Sequence, residues 1–114
     1  MEIREQNYHV AYEPETETIS FQGSLRLSGI PEYAPIVSIL NEAVAKEPAV
    51  LTLNLRQLDF LNSSGITMLS KFVINVRKKN TIKIVIKGSK SIPWQSKSLK
   101  NLQRLMPTLT LEIE

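Results

Sequence analysis

The stretch from residue 51 to residue 73, LTLNLRQLDFLNSSGITMLSKFV, holds the clearest structural signals in the chain. It is preceded by Pro48, and residues 49–55 are short and mostly apolar, which is typical of a buried central strand. A loop is predicted over Asp59 to Ser63. Apolar side chains then recur at helical spacing, at Ile66, Leu69, Val73 and Val76. The segment therefore predicts a strand, a loop and an amphipathic helix that ends near Lys79-Asn80.

The flanking sequence extends this pattern in both directions. Two alternating segments upstream, residues 3–12 and 18–25, predict a hairpin with a turn at Pro14. A helix is predicted from the Ser28–Glu32 region to about Lys46. Downstream we predict a strand over 81–87, a helix between Pro93 and Pro107, and a last strand over 109–113. The order ββαβαβαβ predicts an α/β fold with a mixed sheet of four to five strands packed against helices.

Length and composition narrow the class of protein. The chain has 114 residues, which fits one domain over 1–114, and it has no cysteine and one histidine. Disulfides, thiolate metal sites and cysteine nucleophiles are excluded, and a multi-histidine zinc site is excluded too. No apolar run approaches the roughly 18 residues that span a bilayer, and the first residues do not resemble a signal peptide. We expect a cytoplasmic domain.

Charge is unevenly distributed along the chain. Residues 1–56 carry eight acidic and four basic side chains, whereas residues 57–114 carry three acidic and ten basic ones. Such a polarity can steer an acidic partner. Lys97, Lys100 and Arg104 share one helical face and could bind nucleic acid or an anionic lipid surface. Because no nucleic-acid-binding motif accompanies them, a solvated face is the favoured interpretation.

The polar residues Asn62, Ser63 and Ser64 lie where a strand gives way to a helix. Residues of this type cap helices. The carboxyl ends of strands are also where open α/β sheets bind ligands and partners. A phosphate on a serine hydroxyl there would be stabilised by the free backbone N–H groups of the helix start. The residues alone leave both interpretations open, helix capping and a phosphorylation site.

The same segment resembles the signature of STAS domains, and most closely the small anti-sigma-factor antagonists of bacteria. That family has a hydrophobic strand, then Leu-x-x-Leu/Val-x-Phe-Ile/Met-Asp-Ser-Ser/Thr-Gly, then an apolar helix; this chain has LNLRQLDFLNSSGI at residues 53–66. Phe21 to Leu25 is similar to the family's strand that ends in Gly-x-Leu/Ile. The resemblance implies a single STAS-like domain, no enzymatic activity and no cofactor of its own.

The resemblance also implies a mechanism, partner switching. The unmodified protein would bind a serine-kinase anti-sigma factor, and phosphorylation would end that binding. By position the phosphoacceptor is Ser63, with Ser64 as second choice. The implied partner-binding surface combines the start of the helix after residue 62 with the end of the predicted strand over residues 18–25. Its residues are Ser24, Arg26, Asn62, Ser63, Ser64, Gly65 and Ile66.

Two residues depart from the family pattern. Asn62 replaces the usual aspartate; it keeps the shape and the capping ability and removes a charge. Arg26 stands where an acidic residue commonly follows Gly-x-Leu. The first of these leaves a second hypothesis open, a STAS-like scaffold or accessory subunit that is never phosphorylated. The regulated pathway and the oligomeric state are not predicted.

Three further features have an ordinary interpretation beside a chemical one. His9, Ser63 and Asp59 are the residue types of a hydrolase triad, but the Gly-x-Ser-x-Gly elbow is missing, so His9 is interpreted as an ordinary strand residue. Glu13, Glu15 and Glu17 alternate and could hold a hard cation, but Pro14 favours a solvated turn. No metal site is therefore predicted. Trp94 beside Pro93 is interpreted as a packing residue at a helix entry.

Overall fold

Six strands form one mixed sheet, and three helices form a layer against it. The computed structural model describes all residues, Met1–Glu114. The strands are β1 (Glu2–Arg4), β2 (Tyr8–Glu13), β3 (Thr18–Leu25), β4 (Val50–Leu61), β5 (Lys83–Gly88) and β6 (Thr110–Ile113). The helices are α1 (Gly29–Ala45), α2 (Ser63–Lys79) and α3 (Gln95–Leu105). None of the three is long and apolar enough to cross a membrane.

The strands lie in the sheet in the order in which they occur in the chain, β1-β2-β3-β4-β5-β6. The first three are antiparallel neighbours, and β3 to β6 are parallel. The predicted α/β class and the order ββαβαβαβ are confirmed. One short strand is added, β1, because Ile3 pairs with Val10 and packs its side chain against the core.

The core lies between the sheet and the helices, and its strand residues alternate as the sequence predicts. Leu51, Leu53 and Leu55 of β4 are fully buried. In α2, Leu69, Val73 and Val76 are buried as predicted, whereas Ile66 is only half-buried at the edge of the core. The other face of the sheet carries no helix, which explains its polar side chains, such as those of Ser20, Thr52 and Asn54.

Strand β4 is longer than predicted. The sequence predicts a loop from Asp59, but β4 continues to Leu61. The reason is parallel pairing with β3, in which Ser24 lies beside Phe60 and Leu25 beside Leu61, after two register shifts. Leu58 and Leu61 are buried by this pairing. The extension carries β4 directly to the first residue of the α2 cap, so the helix start sits at the carboxyl edge of the sheet.

Beyond Asn54, β4 has no partner strand on its β5 side, and α3 covers that edge instead. The buried Gln95 side chain donates to the carbonyls of Leu55 and Leu58 at 2.6 and 3.0 Å and accepts from the Ser89 N–H at 2.8 Å. The Trp94 indole also donates to Leu58, at 3.0 Å. Side chains thus replace the missing strand, and Trp94 packs at the helix entry as predicted.

Candidate functional site

Asn62 fixes the start of α2 against two other elements. Its side-chain oxygen accepts from the Gly65 N–H at 2.9 Å and from the Tyr33 hydroxyl at 2.7 Å. Its side-chain nitrogen donates to the Leu27 carbonyl at 2.8 Å. Its backbone N–H donates to the Leu25 carbonyl at 3.1 Å. The side chain and backbone of Asn62 together therefore join the end of β3, the segment that leads into α1, α1 itself and the start of α2.

This geometry decides which of the three polar residues caps the helix. Asn62 is the N-cap, and Ser63 and Ser64 are the first two helical residues. Neither serine hydroxyl makes a hydrogen bond within the protein, so the interpretation of both serines as caps is wrong. Ser63 is exposed and Ser64 half-buried. The Ser63 hydroxyl is thus exposed and unpaired in the first turn of α2.

The electrostatics of α2 favour an anion at this end. Its first turn holds no acidic residue, and its last turn holds Arg77, Lys78 and Lys79. No acidic side chain therefore compensates the positive end of the helix dipole near Ser63. Burial raises the pKa of Tyr33, so its hydroxyl stays protonated and keeps donating to Asn62.

Gly65 is a packing requirement of the same site. A β-carbon at this position would lie 2.7 Å from the Tyr33 hydroxyl and would also clash with the Leu61 side chain. A larger residue would push the first turn of α2 away from α1. The glycine of the motif is therefore explained by close packing.

Ser24 and Arg26 reach the same edge of the sheet, beside the helix start. Ser24 lies next to Phe60 in the sheet register, and the Arg26 guanidinium stacks on the Phe60 ring, 4.0 Å from its centre. Both residues line a polar cleft with Asn7, Tyr8 and Leu27. The predicted partner-binding residues thus lie together at the carboxyl ends of β3 and β4. Ser24 and Arg26 line a cleft that is separate from the start of α2.

A second feature of this end of the molecule is an apolar groove between α1 and α2, which the sequence analysis missed. Its volume is about 180 Å³. It is lined by Ile30, Tyr33, Val37 and Asn41 from α1 and by Met68, Lys71, Phe72 and Asn75 from α2. Ile30 is 61% exposed at its mouth. The sequence did hold a signal for this groove. Within each helix the lining residues are spaced three or four apart, so they lie along one side of that helix.

The remaining candidates take no part in this site. His9 pairs with Glu2 of β1 at 2.5 Å, and this hydrogen bond is the main reason that the pKa of Glu2 is lowered. No cluster of three or more His, Asp or Glu side chains could hold a metal ion, so Glu13, Glu15 and Glu17 do not converge. Lys97, Lys100 and Arg104 are exposed on α3.

Comparisons with known proteins identify the fold. No protein-family model matches the chain, and no curated protein matches it either. Solved structures do match. A chain in the crystal structure of the diguanylate cyclase SiaD in complex with its activator SiaC, from Pseudomonas aeruginosa, has a TM-score of 0.73 at 12% identity, and the match covers 99% of this chain and 97% of that one.

Two further structures of SiaC from Pseudomonas aeruginosa match over the full chain. One has a TM-score of 0.73 at 11% identity and is covered over 96% of its length. The other, apo-SiaC, has a TM-score of 0.72 at 9% identity and is covered over 98%. At these identities the likeness concerns the fold. This chain therefore has the α/β fold that SiaC has, from its first strand to its last.

Proposed function

We propose that this protein is a non-enzymatic regulatory module that binds a partner protein through the start of α2, and that phosphorylation of Ser63 switches this binding off. The observation that carries the proposal is the free, exposed Ser63 hydroxyl in the first turn of a helix whose start is held by Asn62. The motif's resemblance to anti-sigma-factor antagonists supports the same serine.

The similar structures support a regulatory protein as the partner. SiaC is an activator and is found in complex with the diguanylate cyclase SiaD. The narrower identification of the partner as a serine-kinase anti-sigma factor rests on the STAS resemblance of the motif alone. We therefore propose that the partner is a regulatory protein, either an enzyme that this protein activates or a serine-kinase anti-sigma factor. Its binding surface accepts a neutral serine at position 63.

The apolar groove extends the proposed contact surface. It begins at the starts of α1 and α2 and runs along both helices, with Tyr33 both lining it and holding Asn62. Apolar lining with one cation, Lys71, suits the apolar face of a partner helix with an acidic residue beside it. Phosphate on Ser63 would lie at the end of this surface.

The switch follows from where the added charge is tolerated. A phosphate brings about −1.5 to −2 charges at neutral pH. The helix start tolerates them, because its backbone N–H groups and dipole favour an anion. A partner interface built on a neutral serine does not, because it would have to bury an unpaired dianion. Phosphorylation should thus weaken binding and leave the fold intact.

The test has two parts. Intact-mass and fragment-mass measurements on the protein from its own cells should find a phosphate, and should place it on Ser63 and not Ser64. With the co-purified partner, Ser63→Asp should weaken binding at least about tenfold while Ser63→Ala binds as the wild type does. Thr108→Asp is the matched control, because it adds the same charge just before the amino end of β6, whereas Ser63 follows the carboxyl end of β4. Equal binding by wild type and Ser63→Asp would contradict the switch, and absence of phosphate would favour the unmodified scaffold.

A further inference from the structure

The charges of this chain are sorted by position along the sequence. Residues 1–47 hold eight glutamates and only three Lys or Arg residues. Residues 60–111 hold ten Lys or Arg residues and not one Asp or Glu. We name residues 1–47 the acidic flank and residues 71–111, which contain all ten of these cations, the basic flank.

The fold converts this sequence order into a spatial separation. Because the strands lie in chain order, β1 to β3 form one side of the sheet and β5 and β6 the other. The helices follow the same order, since α1 contacts β1 and β2 while α3 contacts β5 and β6. The acidic flank thus lies on the β1 side of the molecule. Six of the ten cations of the basic flank lie on the β6 side, on β5, on α3 and on the loop between them, whereas the other four lie on α2 in the middle of the helix layer and β6 itself carries Glu112.

The charges of the two flanks are available for contacts between molecules. The ion pairs within the protein are Glu2 with Arg4, Glu2 with His9, and Arg56 with Glu114. None of the ten cations of the basic flank takes part. On the acidic flank, Glu13, Glu15 and Glu42 are exposed and form no ion pair.

The two sheet edges point in compatible directions. Strand β1 is antiparallel to β2, which is antiparallel to β3, so β1 runs in the same direction as β3 to β6. Each edge strand has a neighbour on one side only. A second copy in the same orientation would therefore bring β1 beside β6 as a parallel neighbour, with its helix layer on the same side.

We propose that copies of this protein associate head to tail, the basic flank of one against the acidic flank of the next. Such a contact uses two different surfaces, so it does not close into a symmetric dimer and adds copies in a row. A second copy is the occupant that fits, because its acidic flank carries the charge complementary to the cations of β5 and α3 and its β1 edge runs in the matching direction. Exposed ion pairs are individually weak, so the association should be concentration-dependent and sensitive to salt.

Sedimentation velocity of the full chain tests this directly. At low ionic strength the mean sedimentation coefficient should rise with protein concentration without stopping at a dimer. Raising the salt from about 25 mM to about 500 mM should lower the association constant by about tenfold or more, because screening shortens the reach of exposed charges. A monomer at every concentration and at both salt levels would overturn the proposal.

Charge reversal on each flank provides the specific test. The triple variant Glu13→Lys, Glu15→Lys and Glu42→Lys changes the net charge of the acidic flank from −5 to +1, and the triple variant Lys97→Glu, Lys100→Glu and Arg104→Glu lowers that of the basic flank from +10 to +4. The first variant alone should remain monomeric and the second should associate more weakly than the wild type, while an equimolar mixture should associate more strongly than either variant alone. Unchanged melting temperatures exclude unfolding as the cause, and since Ser63 is untouched the result is independent of the proposed switch. Failure of the mixture to associate, or a monomer whose basic flank instead binds duplex DNA, would assign the flank to another role and overturn the proposal.

Discussion

The side-chain nitrogen of Asn62 donates a hydrogen bond of 2.8 Å to the backbone carbonyl of Leu27, which lies 35 residues earlier in the chain. An ionised aspartate could not make this contact, because a carboxylate can only accept. The same side chain accepts from Gly65 and Tyr33 through its oxygen. Asn62 thus uses both halves of its carboxamide, and the departure from the family's aspartate has a structural meaning in this chain.

We predict that Asn62→Asp is destabilising at neutral pH. The variant keeps the cap to Gly65 but faces the Leu27 carbonyl with a charged oxygen, at a cost of about 1–3 kcal/mol. The favourable effect of a negative charge at a helix start offsets only about 0.3–1 kcal/mol of this. Urea melts should show a net loss near neutral pH and a smaller one in acid, where the protonated acid can donate to Leu27. The exposed Ser63→Ala should be nearly neutral, and equal stability of Asn62→Asp and wild type would contradict the assigned hydrogen bond.

Truncation of Leu69 measures how α2 is anchored. Leu69 is 1% exposed and faces the sheet, so Leu69→Ala should lower the free energy of unfolding by about 2–5 kcal/mol. Lys78 lies on the exposed side of the same helix, and Lys78→Ala should cost less than about 0.5 kcal/mol. Chemical denaturation of both variants checks this pair, and similar losses would contradict the assigned helix face.

The buried phenol of Tyr33 should make stability fall at alkaline pH. Burial is the main cause that raises the pKa of Tyr33 above its ordinary value, so the folded state holds a proton that the unfolded state releases. The stabilisation is fully present below the unfolded pKa, near pH 10, and is lost as the pH rises through the higher folded pKa.

Tyr33→Phe separates this titration from the hydrogen bond to Asn62. The variant should lose about 1 kcal/mol at neutral pH, because the Asn62 oxygen loses one donor, and its stability should fall less steeply at alkaline pH. The pKa of Tyr8 is also raised, mainly by burial, so Tyr8→Phe is the necessary comparison. Thermal melts between about pH 8 and pH 11 decide the matter. Parallel alkaline losses in wild type and Tyr33→Phe would contradict the prediction.

Gln95 should be costly to replace with an apolar residue of similar size. Gln95→Met leaves the carbonyl of Leu55 and the N–H of Ser89 without their side-chain partner, and we expect a loss of about 3 kcal/mol. Gln103 makes one side-chain hydrogen bond, to Leu109, and Gln103→Met is the matched control with an expected loss of about 1 kcal/mol. Guanidinium melts compare the two. A Gln95→Met variant as stable as wild type would show that water or Trp94 substitutes for the amide.

The parts of the fold that could be predicted from sequence are those encoded by neighbouring residues. Two such patterns are found in the structure: the alternation at Ile82, Ile84 and Ile86, and the helical spacing from Leu69 to Val76. Each could be predicted because it involves only the buried face of a single strand or helix. The end of β4 could not be predicted this way. Asp59 and Phe60 belong to the strand only because β3 pairs with Leu58, Phe60 and Leu61 around the irregularity at Asp59, and that pairing depends on residues more than 30 positions away.

The candidate site likewise has a part that the local sequence predicts and a part that depends on tertiary packing. A polar residue before an apolar helix predicts a cap, and Asn62 is one. That Asn62 and not a serine caps α2, and that its amide reaches Leu27 and Tyr33, depends on the packing of α1 against α2. The buried position of Gln95 was equally hidden, because a glutamine next to Ser96 and Lys97 has the local signature of an exposed helix start.

The agreement between strand order and chain order has a consequence for how the protein folds during synthesis. The residues of the β2–β3 hairpin leave the ribosome before those of any later element, and the strand of each following helix–strand unit lies beside the strand made just before it. No strand has to be inserted between two that have already paired. The sheet can therefore grow in one direction as the chain emerges, with each intermediate exposing a single new edge, and the last unit, α3 with β6, supplies the Gln95 contacts that cover β4.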